Sequence, residues 1–116
     1  MRVGDCIFCQ IVLGRVPAKI TYETERLLVF SDIMPQAPIH QLIIPKKHIT
    51  NILDFDENDV TLISDLFVAV KDIAKQIDVL SEGFRLVNNT GSYGGQTVHH
   101  VHFHLLGGRV LSWPPG

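Results

Sequence analysis

Histidines are concentrated in one stretch near the C-terminus. His100, His102 and His104 alternate there with apolar residues, and four of the six histidines in the chain lie within six consecutive positions. Because side chains of a β-strand alternate between its two faces, the pattern predicts a strand with three imidazoles on one face and Val101 and Phe103 in a core. A helix, with about 3.6 residues per turn, would scatter the same side chains around its surface.

A glycine-rich stretch, residues 90–95, directly precedes the histidines and is called the glycine loop below. Its glycines allow backbone N–H groups to approach an anion closely. Imidazole can attack phosphorus, transfer protons or ligate metals near neutral pH. The nearby sequence has no Gly-Lys-Ser/Thr motif and no acidic cluster suited to Mg²⁺, so the pattern favours covalent histidine catalysis at a bound phosphate over a two-metal mechanism.

The length and composition limit the class of protein. With 116 residues, 46% apolar and 19% charged, the chain is expected to form a single globular domain, residues 1–116. The net charge of −2 and the lack of a basic run argue against nucleic acid or an anionic membrane as a partner. An apolar run of about 18 residues is missing and the N-terminus does not resemble a secretory signal, so a cytoplasmic location is expected.

Periodicity and turn residues predict an α+β fold: an antiparallel sheet of about five strands with one long helix and a short N-terminal helix. The expected elements are a short helix over 7–13, strands over 18–23, 27–31, 40–45 and 84–88, a long helix beginning near Asp56, and the histidine strand from about Thr97. Asp56 and Asp59 form a weak capping box at the start of the long helix.

The long helix has two apolar stripes, which together cover about half of its circumference. One stripe contains Val60 and Phe67, and the other contains Leu62, Leu66 and Ile73. One stripe can pack on the sheet. The other indicates either a homodimer or a helix enclosed deeply in its own domain, and the sequence pattern favours neither.

Motifs along almost the whole chain resemble the histidine-triad (HIT) nucleotide-binding family. Residues 96–106, Gln-Thr-Val-His-His-Val-His-Phe-His-Leu-Leu, match its signature of histidines alternating with apolar residues. Further matching segments are 5–9, 17–20, 30–33, 35–38, 44–48 and the terminal Trp-Pro-Pro-Gly at 113–116. Among the branches of the family, the chain is similar to purine nucleoside phosphoramidases. These are homodimers that hydrolyse adenosine or guanosine 5′-phosphoramidates to a nucleoside monophosphate and an amine.

The resemblance implies a catalytic role for four histidines. His102 is expected to be the nucleophile that forms a nucleotidyl-histidine intermediate. His104 is expected to contact the phosphate and assist the leaving amine. The backbone carbonyl of His100 is expected to hold the His102 ring in its reactive tautomer, and His40 is expected to be a fourth histidine of the site.

The resemblance also implies a nucleotide site and a dimer whose sheet continues across both subunits. Asp32 is expected to bind the ribose hydroxyls. Trp113 is expected to lie near the partner subunit's active site. The remaining implied residues are Phe8, Ile11, Phe30, Ile33 and Leu42 around the purine, and Asn89, Gly95 and Thr97 at the α-phosphate. Thr97 stands where serine is common in this branch, and His99 stands where tyrosine is common.

Cys6 and Cys9 form a Cys-x-x-Cys pair, which in a reducing compartment favours a metal site or redox chemistry over a structural disulfide. In similar family members, such a pair binds zinc together with two histidines, which correspond here to His48 and His100. The alternative is two small thiols near the core. A four-ligand zinc is structural because it has no open position, so catalysis is expected to require no cofactor.

Two other functions are compatible with the same residues. One is a non-catalytic, zinc-stabilised nucleotide-binding scaffold. The other is a dinucleoside polyphosphate hydrolase or nucleotide transferase of the same superfamily. The Trp-Pro-Pro-Gly terminus favours the phosphoramidase branch by resemblance alone.

Overall fold

A computed structural model describes residues 3–116 and confirms the α+β prediction. The helices are α1 (Ile7–Val12) and α2 (Val60–Gln76), and the strands are β1 (Ile20–Glu23), β2 (Leu27–Ser31), β3 (Ile39–Pro45), β4 (Phe84–Asn88) and β5 (Phe103–Gly107). Short 3₁₀ helices span Val3–Asp5, Ile52–Asp54, Glu57–Asp59 and Asp78–Glu82.

The five strands form one antiparallel sheet in the order β1-β2-β3-β5-β4. The last strand of the chain therefore lies between β3 and β4. His104 on β5 is opposite Leu42 on β3 and Val87 on β4. This central position places His104 beside two paired strands, a more rigid setting than a loop provides.

The sheet separates two apolar clusters because successive strand residues point to opposite faces. On one face, Val29 and Ile43 pack in a cluster with Leu66 of α2. On the other face, Phe30 and Leu42 pack in a cluster with α1. Residues directly opposite each other in a sheet share a face, so His104 points to the α1 side.

The predicted capping box is present at the N-terminal end of α2. The Asp56 side chain accepts the Asn58 N–H at 2.8 Å, and the Asp59 side chain accepts the Asp56 N–H at 3.0 Å. Both bonds hold the 3₁₀ turn that leads into α2. Asp59 also pairs with Lys47 Nζ at 2.9 Å, so its buried carboxylate has a charged partner.

One stripe of α2 packs on the sheet, and Leu62, Leu66 and Ile73 are buried. The other stripe is open at Val60 and Phe67, which are 63% and 57% exposed, while Val70 in the same stripe is buried. A deeply enclosed helix therefore does not account for the exposed part of this stripe. Among residues 3–116, no helix combines the length and the apolar character needed to cross a bilayer.

The histidine strand is shorter than predicted. It begins at Phe103 and not near Thr97, so the expectation of three imidazoles on one strand face is wrong. Residues 97–102 lie outside the sheet, and the Val101 N–H bonds instead to the Ile49 carbonyl oxygen. The expected alternation still holds for the core, because Val101 and Leu105 are buried and Phe103 packs against the same cluster.

Candidate active site

His102 lies directly before β5, and 4% of the residue is exposed. Its Nδ1 is 2.7 Å from the carbonyl oxygen of His100. A carbonyl oxygen only accepts, so Nδ1 carries the proton and Nε2 keeps a free lone pair. The ring meets Phe8 edge-on at 5.1 Å between centroids and lies 5.2 Å from the ring of His104.

His40 and His104 form a hydrogen-bonded pair beside it. The Gln36 N–H donates to His40 Nδ1 at 3.0 Å, so the proton of a neutral His40 is on Nε2. That Nε2–H donates to His104 Nδ1 at 2.8 Å and leaves the His104 proton on Nε2. The two neighbouring imidazoles thus differ in tautomer: the proton is on Nδ1 in His102, whereas His104 presents an Nε2–H hydrogen-bond donor.

Burial keeps both members of this pair neutral near pH 7. The pKa of His104 is lowered to about 4, first by burial and then by the neighbouring His102 and His40 rings. Burial also lowers the pKa of His40, against the opposing effect of the Asp32 carboxylate. The protons in the hydrogen-bond chain are therefore those of neutral rings.

Asp32 follows β2 and joins the histidine pair. Its Oδ1 accepts the Met34 N–H at 2.8 Å, and its Oδ2 lies 3.4 Å from His40 Nε2. The donor atoms of Asp32, His40 and His104 are close enough together to hold a metal. However, the Gln36 N–H keeps the proton of His40 on Nε2, so this set of atoms is better described as a hydrogen-bond chain than as a ligand set.

Four of the five residues predicted around the purine lie together on the α1 side of the sheet. They belong to one buried cluster, which contains Phe8, Ile11, Phe30 and Leu42. Phe8 and Phe30 meet edge-on with centroids 5.6 Å apart. Ile33 differs, because it is 95% exposed on the loop after β2 and does not pack with that cluster.

The glycine loop is held by its own hydrogen bonds. Asn89 Nδ2 donates to the Gly94 carbonyl oxygen at 2.7 Å. A Cβ atom at Gly94 would lie 2.3 Å from the Thr90 carbonyl oxygen, so no larger residue fits without moving the backbone. Gly95 has φ of +79°, in the region that favours glycine. Thr97 follows the loop and is exposed.

Sequence reasoning missed Gln96, whose side chain makes three hydrogen bonds. Its Oε1 accepts the Gly91 N–H at 2.9 Å, and its Nε2 donates to the carbonyl oxygens of Thr50 at 2.7 Å and Val98 at 3.1 Å. Gln96 therefore ties the glycine loop to a segment 46 residues earlier. The only signal in the sequence was the position of an amide side chain between the glycine loop and the histidines. That position alone does not identify the hydrogen-bond partners of Gln96.

A second cluster joins Cys6, Cys9, His48 and His100, all within ligand reach of one another, and is called the thiol–imidazole cluster below. The His100 Nδ1 lies 3.4 Å from Cys6 Sγ and 3.6 Å from Cys9 Sγ, and His48 Nδ1 lies 3.2 Å from Cys9 Sγ. Zn–S bonds of about 2.3 Å and Zn–N bonds of about 2.0 Å give sulfur–nitrogen separations of about 3.5 Å in a tetrahedron. The spacing of the donor atoms therefore fits tetrahedral zinc.

Protonation in the thiol–imidazole cluster also suits a metal. His100 Nε2 donates to the Pro45 carbonyl oxygen at 2.8 Å, so its Nδ1 lone pair faces the sulfur atoms. Burial lowers the pKa of His100 to about 4, which keeps it neutral. Burial and the nearby Cys6 raise the pKa of the Cys9 thiol to about 11, so binding a metal at neutral pH must release that proton.

The sequence model of the HIT domain matches residues 14–111, most of the chain. The chain belongs to the HIT family. A HIT-like protein of Synechococcus elongatus is 51% identical over 112 residues, which are 97% of each chain.

Solved HIT structures have the same fold. A HIT family hydrolase from Legionella pneumophila superposes with a TM-score of 0.93 at 47% identity and covers 97% of this chain and 100% of its own. A histidine triad nucleotide-binding protein from Candida albicans superposes with a TM-score of 0.81 at 34% identity and covers 95% of this chain and 83% of its own.

The C-terminal segment of this HIT protein is held beside β4. Arg85 Nη2 donates to the carbonyl oxygens of Leu111 and Ser112, at 3.3 and 2.9 Å, and holds the segment beside β4. Trp113 is 80% exposed within the single chain. A cavity of about 540 Å³ between this segment and β4 is lined partly by Phe84 and Val110. Within one chain, Trp113 therefore has no buried position.

Proposed function

We infer that this HIT protein hydrolyses purine nucleoside 5′-phosphoramidates and cleaves the P–N bond through a nucleotidyl-His102 intermediate. The observation that carries the proposal is the 2.7 Å bond from His102 Nδ1–H to the His100 carbonyl oxygen. That bond places a proton on Nδ1 and leaves Nε2 as the nitrogen that can act as the nucleophile. The relative from Legionella pneumophila, which is called a hydrolase, supports the same class of reaction.

In the first step, His102 Nε2 attacks phosphorus, and the bond between phosphorus and the amine breaks. The departing nitrogen takes a proton from solvent, and His104 Nε2–H, which the hydrogen-bond chain from Gln36 through His40 orients, donates a hydrogen bond to the phosphate group and the departing nitrogen. In the second step, water attacks phosphorus, the bond to His102 breaks, and that water releases its proton to solvent. The products are a nucleoside monophosphate, an amine and the original enzyme.

Binding of the nucleotide is assigned to the residues expected from the sequence. The purine is assigned to the α1 side of the sheet, where Phe8 and Leu42 belong to an apolar cluster, and the remaining acceptor capacity of Asp32 suits ribose hydroxyls. Asn89, Gly95 and Thr97 belong to or flank the glycine loop, where backbone N–H groups suit a phosphate. The relative from Candida albicans is called nucleotide-binding, which supports this partner.

The test compares wild type with His102→Ala on adenosine 5′-phosphoramidate. We expect His102→Ala to lose turnover while retaining measurable AMP binding. Exposed His99 provides the matched control, and His99→Ala should keep wild-type turnover. Turnover by His102→Ala would contradict the covalent route. Faster cleavage of diadenosine polyphosphates than of phosphoramidates by wild type would favour the second type of hydrolase, and AMP binding with no hydrolysis would favour a scaffold.

We also infer that the thiol–imidazole cluster holds a structural zinc. The sulfur–nitrogen distances and the Nδ1 lone pair of His100 support this proposal. His100 would then serve two purposes, since its ring would bind zinc and its carbonyl oxygen orients His102. The metal would stabilise the fold without taking part in the reaction, because four protein ligands leave no open position.

A homodimer through β4 is the third part of the proposal. β4 is at one edge of the sheet, and Phe84 on β4 and Phe67 on α2 are exposed and line one cavity of about 530 Å³. Pairing two copies of β4 would continue the sheet and cover these rings. It would also give Trp113 a partner subunit to pack against. Sedimentation velocity should show a dimer for wild type and a monomer for Phe84→Asp, and a monomeric wild type would contradict the proposal.

A further inference from the structure

Asn88, the last residue of β4, bonds to the main chain of the proposed nucleophile. Its Nδ2 donates to the His102 carbonyl oxygen at 3.0 Å. Because that oxygen can only accept, the amide nitrogen must face it and Oδ1 must face the other way. There the Thr90 hydroxyl donates to Oδ1 at 2.6 Å. The orientation of the Asn88 amide is therefore determined from both sides.

This bond joins Asn88 to His102 just beyond the last paired residues of β4 and β5. Asn88 and Phe103 are the last opposed residues of β4 and β5, so His102 lies immediately outside the paired region. The His102 ring is held through Nδ1 by the His100 carbonyl oxygen, and its own carbonyl is held by Asn88. Together, the two bonds restrain the ring and the backbone of the same residue.

We propose that Asn88 is a positioning residue for His102 and that the Thr90 hydroxyl keeps the Asn88 amide in the required orientation. The proposal rests on the function inferred above, in which His102 attacks phosphorus. Since Thr90 begins the glycine loop, the chain of bonds links the loop assigned to the phosphate with the histidine assigned to attack it. Asn88 itself touches neither substrate nor the reacting atoms.

Asn88→Asp tests the donor, because aspartate has the same shape but presents only acceptors to the His102 carbonyl oxygen. The loss of one hydrogen bond predicts that kcat falls by about tenfold, while KM changes by less than about twofold. Thr90→Val should lower kcat by about threefold through the Asn88 amide alone, and Thr90→Ser should restore it. Exposed Asn58 and Thr61 provide matched controls, and Asn58→Asp and Thr61→Val should behave as wild type.

A second measurement separates this proposal from the proposed reaction. In ¹⁵N spectra of the imidazoles, Asn88→Asp should broaden or shift the His102 ring signals, and Asn58→Asp should not. If wild type has no phosphoramidase activity, the proposed reaction fails, while the spectra still decide whether Asn88 positions His102. Unchanged His102 signals together with unchanged kcat in Asn88→Asp would overturn the positioning role. Should that variant not fold, Thr90→Val against Thr90→Ser decides by the same two measurements.

Discussion

Lowering the pH should reduce the free energy of unfolding, in part because of His104. The substitution His104→Gln should remove the contribution of His104 to this loss of stability. Burial lowers the pKa of the His104 ring from 6.5 to about 4. Between these two pH values the unfolded chain binds a proton that the folded protein does not. The stabilising contribution is therefore complete above pH 6.5 and is lost as the pH falls. The loss is on the order of 1 kcal/mol per pH unit, or at most about 3 kcal/mol over the whole interval.

Urea unfolding at pH 7, 6 and 5 measures this loss in wild type, His104→Gln and His99→Gln. Glutamine can still accept the His40 Nε2–H that His104 accepts at 2.8 Å, so the fold is expected to survive. The free energy of unfolding should fall less steeply in His104→Gln than in wild type, by roughly 1 kcal/mol per pH unit between pH 6 and pH 5. His99→Gln controls for loss of a histidine, because His99 is exposed.

Comparing slopes between variants removes the effect of titrating groups that do not contact His104, including the thiol–imidazole cluster, which all three proteins share. Equal slopes in wild type and His104→Gln would refute the reasoning. That result would mean that His104 takes up a proton as readily in the folded protein as in the unfolded chain. The assignment of a neutral His104 that donates from Nε2 would then be untenable.

Three further changes have defined outcomes. Cys9→Ser should lower the zinc content of the purified protein and its thermal midpoint, and a wild-type zinc content would contradict the proposed metal site. Asp56→Ala removes the helix cap and should reduce the free energy of unfolding by about 1 kcal/mol in urea, with an unchanged value opposing a stabilising cap. Gly94→Ala would place Cβ against the Thr90 carbonyl oxygen and should weaken AMP binding by about tenfold or more, whereas Gly4→Ala meets open space and should not.

Sequence patterns predicted secondary-structure elements well where the interactions that form the element join residues close together in the chain. The strand at 84–88 and the capping box of Asp56 and Asp59 were found as expected, because alternation and capping involve residues only a few positions apart. The start of the histidine strand was missed. Alternation reports which side chains share a face, but pairing depends on a distant partner, here the bond from Val101 to Ile49.

The functional side chains of the candidate site could be predicted from the sequence, but its main-chain hydrogen bonds could not. The histidines and cysteines were identified because few residue types carry that chemistry. The Gln36 N–H that fixes the proton of His40 could not be identified, since every residue except proline has a backbone donor. Ile33 was assigned to the purine by resemblance; it is 95% exposed and outside the apolar cluster, a position that the sequence could not give because the direction of a loop has no periodic signal.

The position of β5 affects the order in which the sheet can form during translation. The ribosome makes β4 before β5, yet β4 pairs only with β5 in the finished sheet. A nascent chain that ends after β4 would therefore carry a strand without its partner and an open edge on β3, both of which invite pairing with other chains. The strand that bears His104 covers the β3 edge and pairs with β4 at once, so the site and the sheet are completed in the same late event.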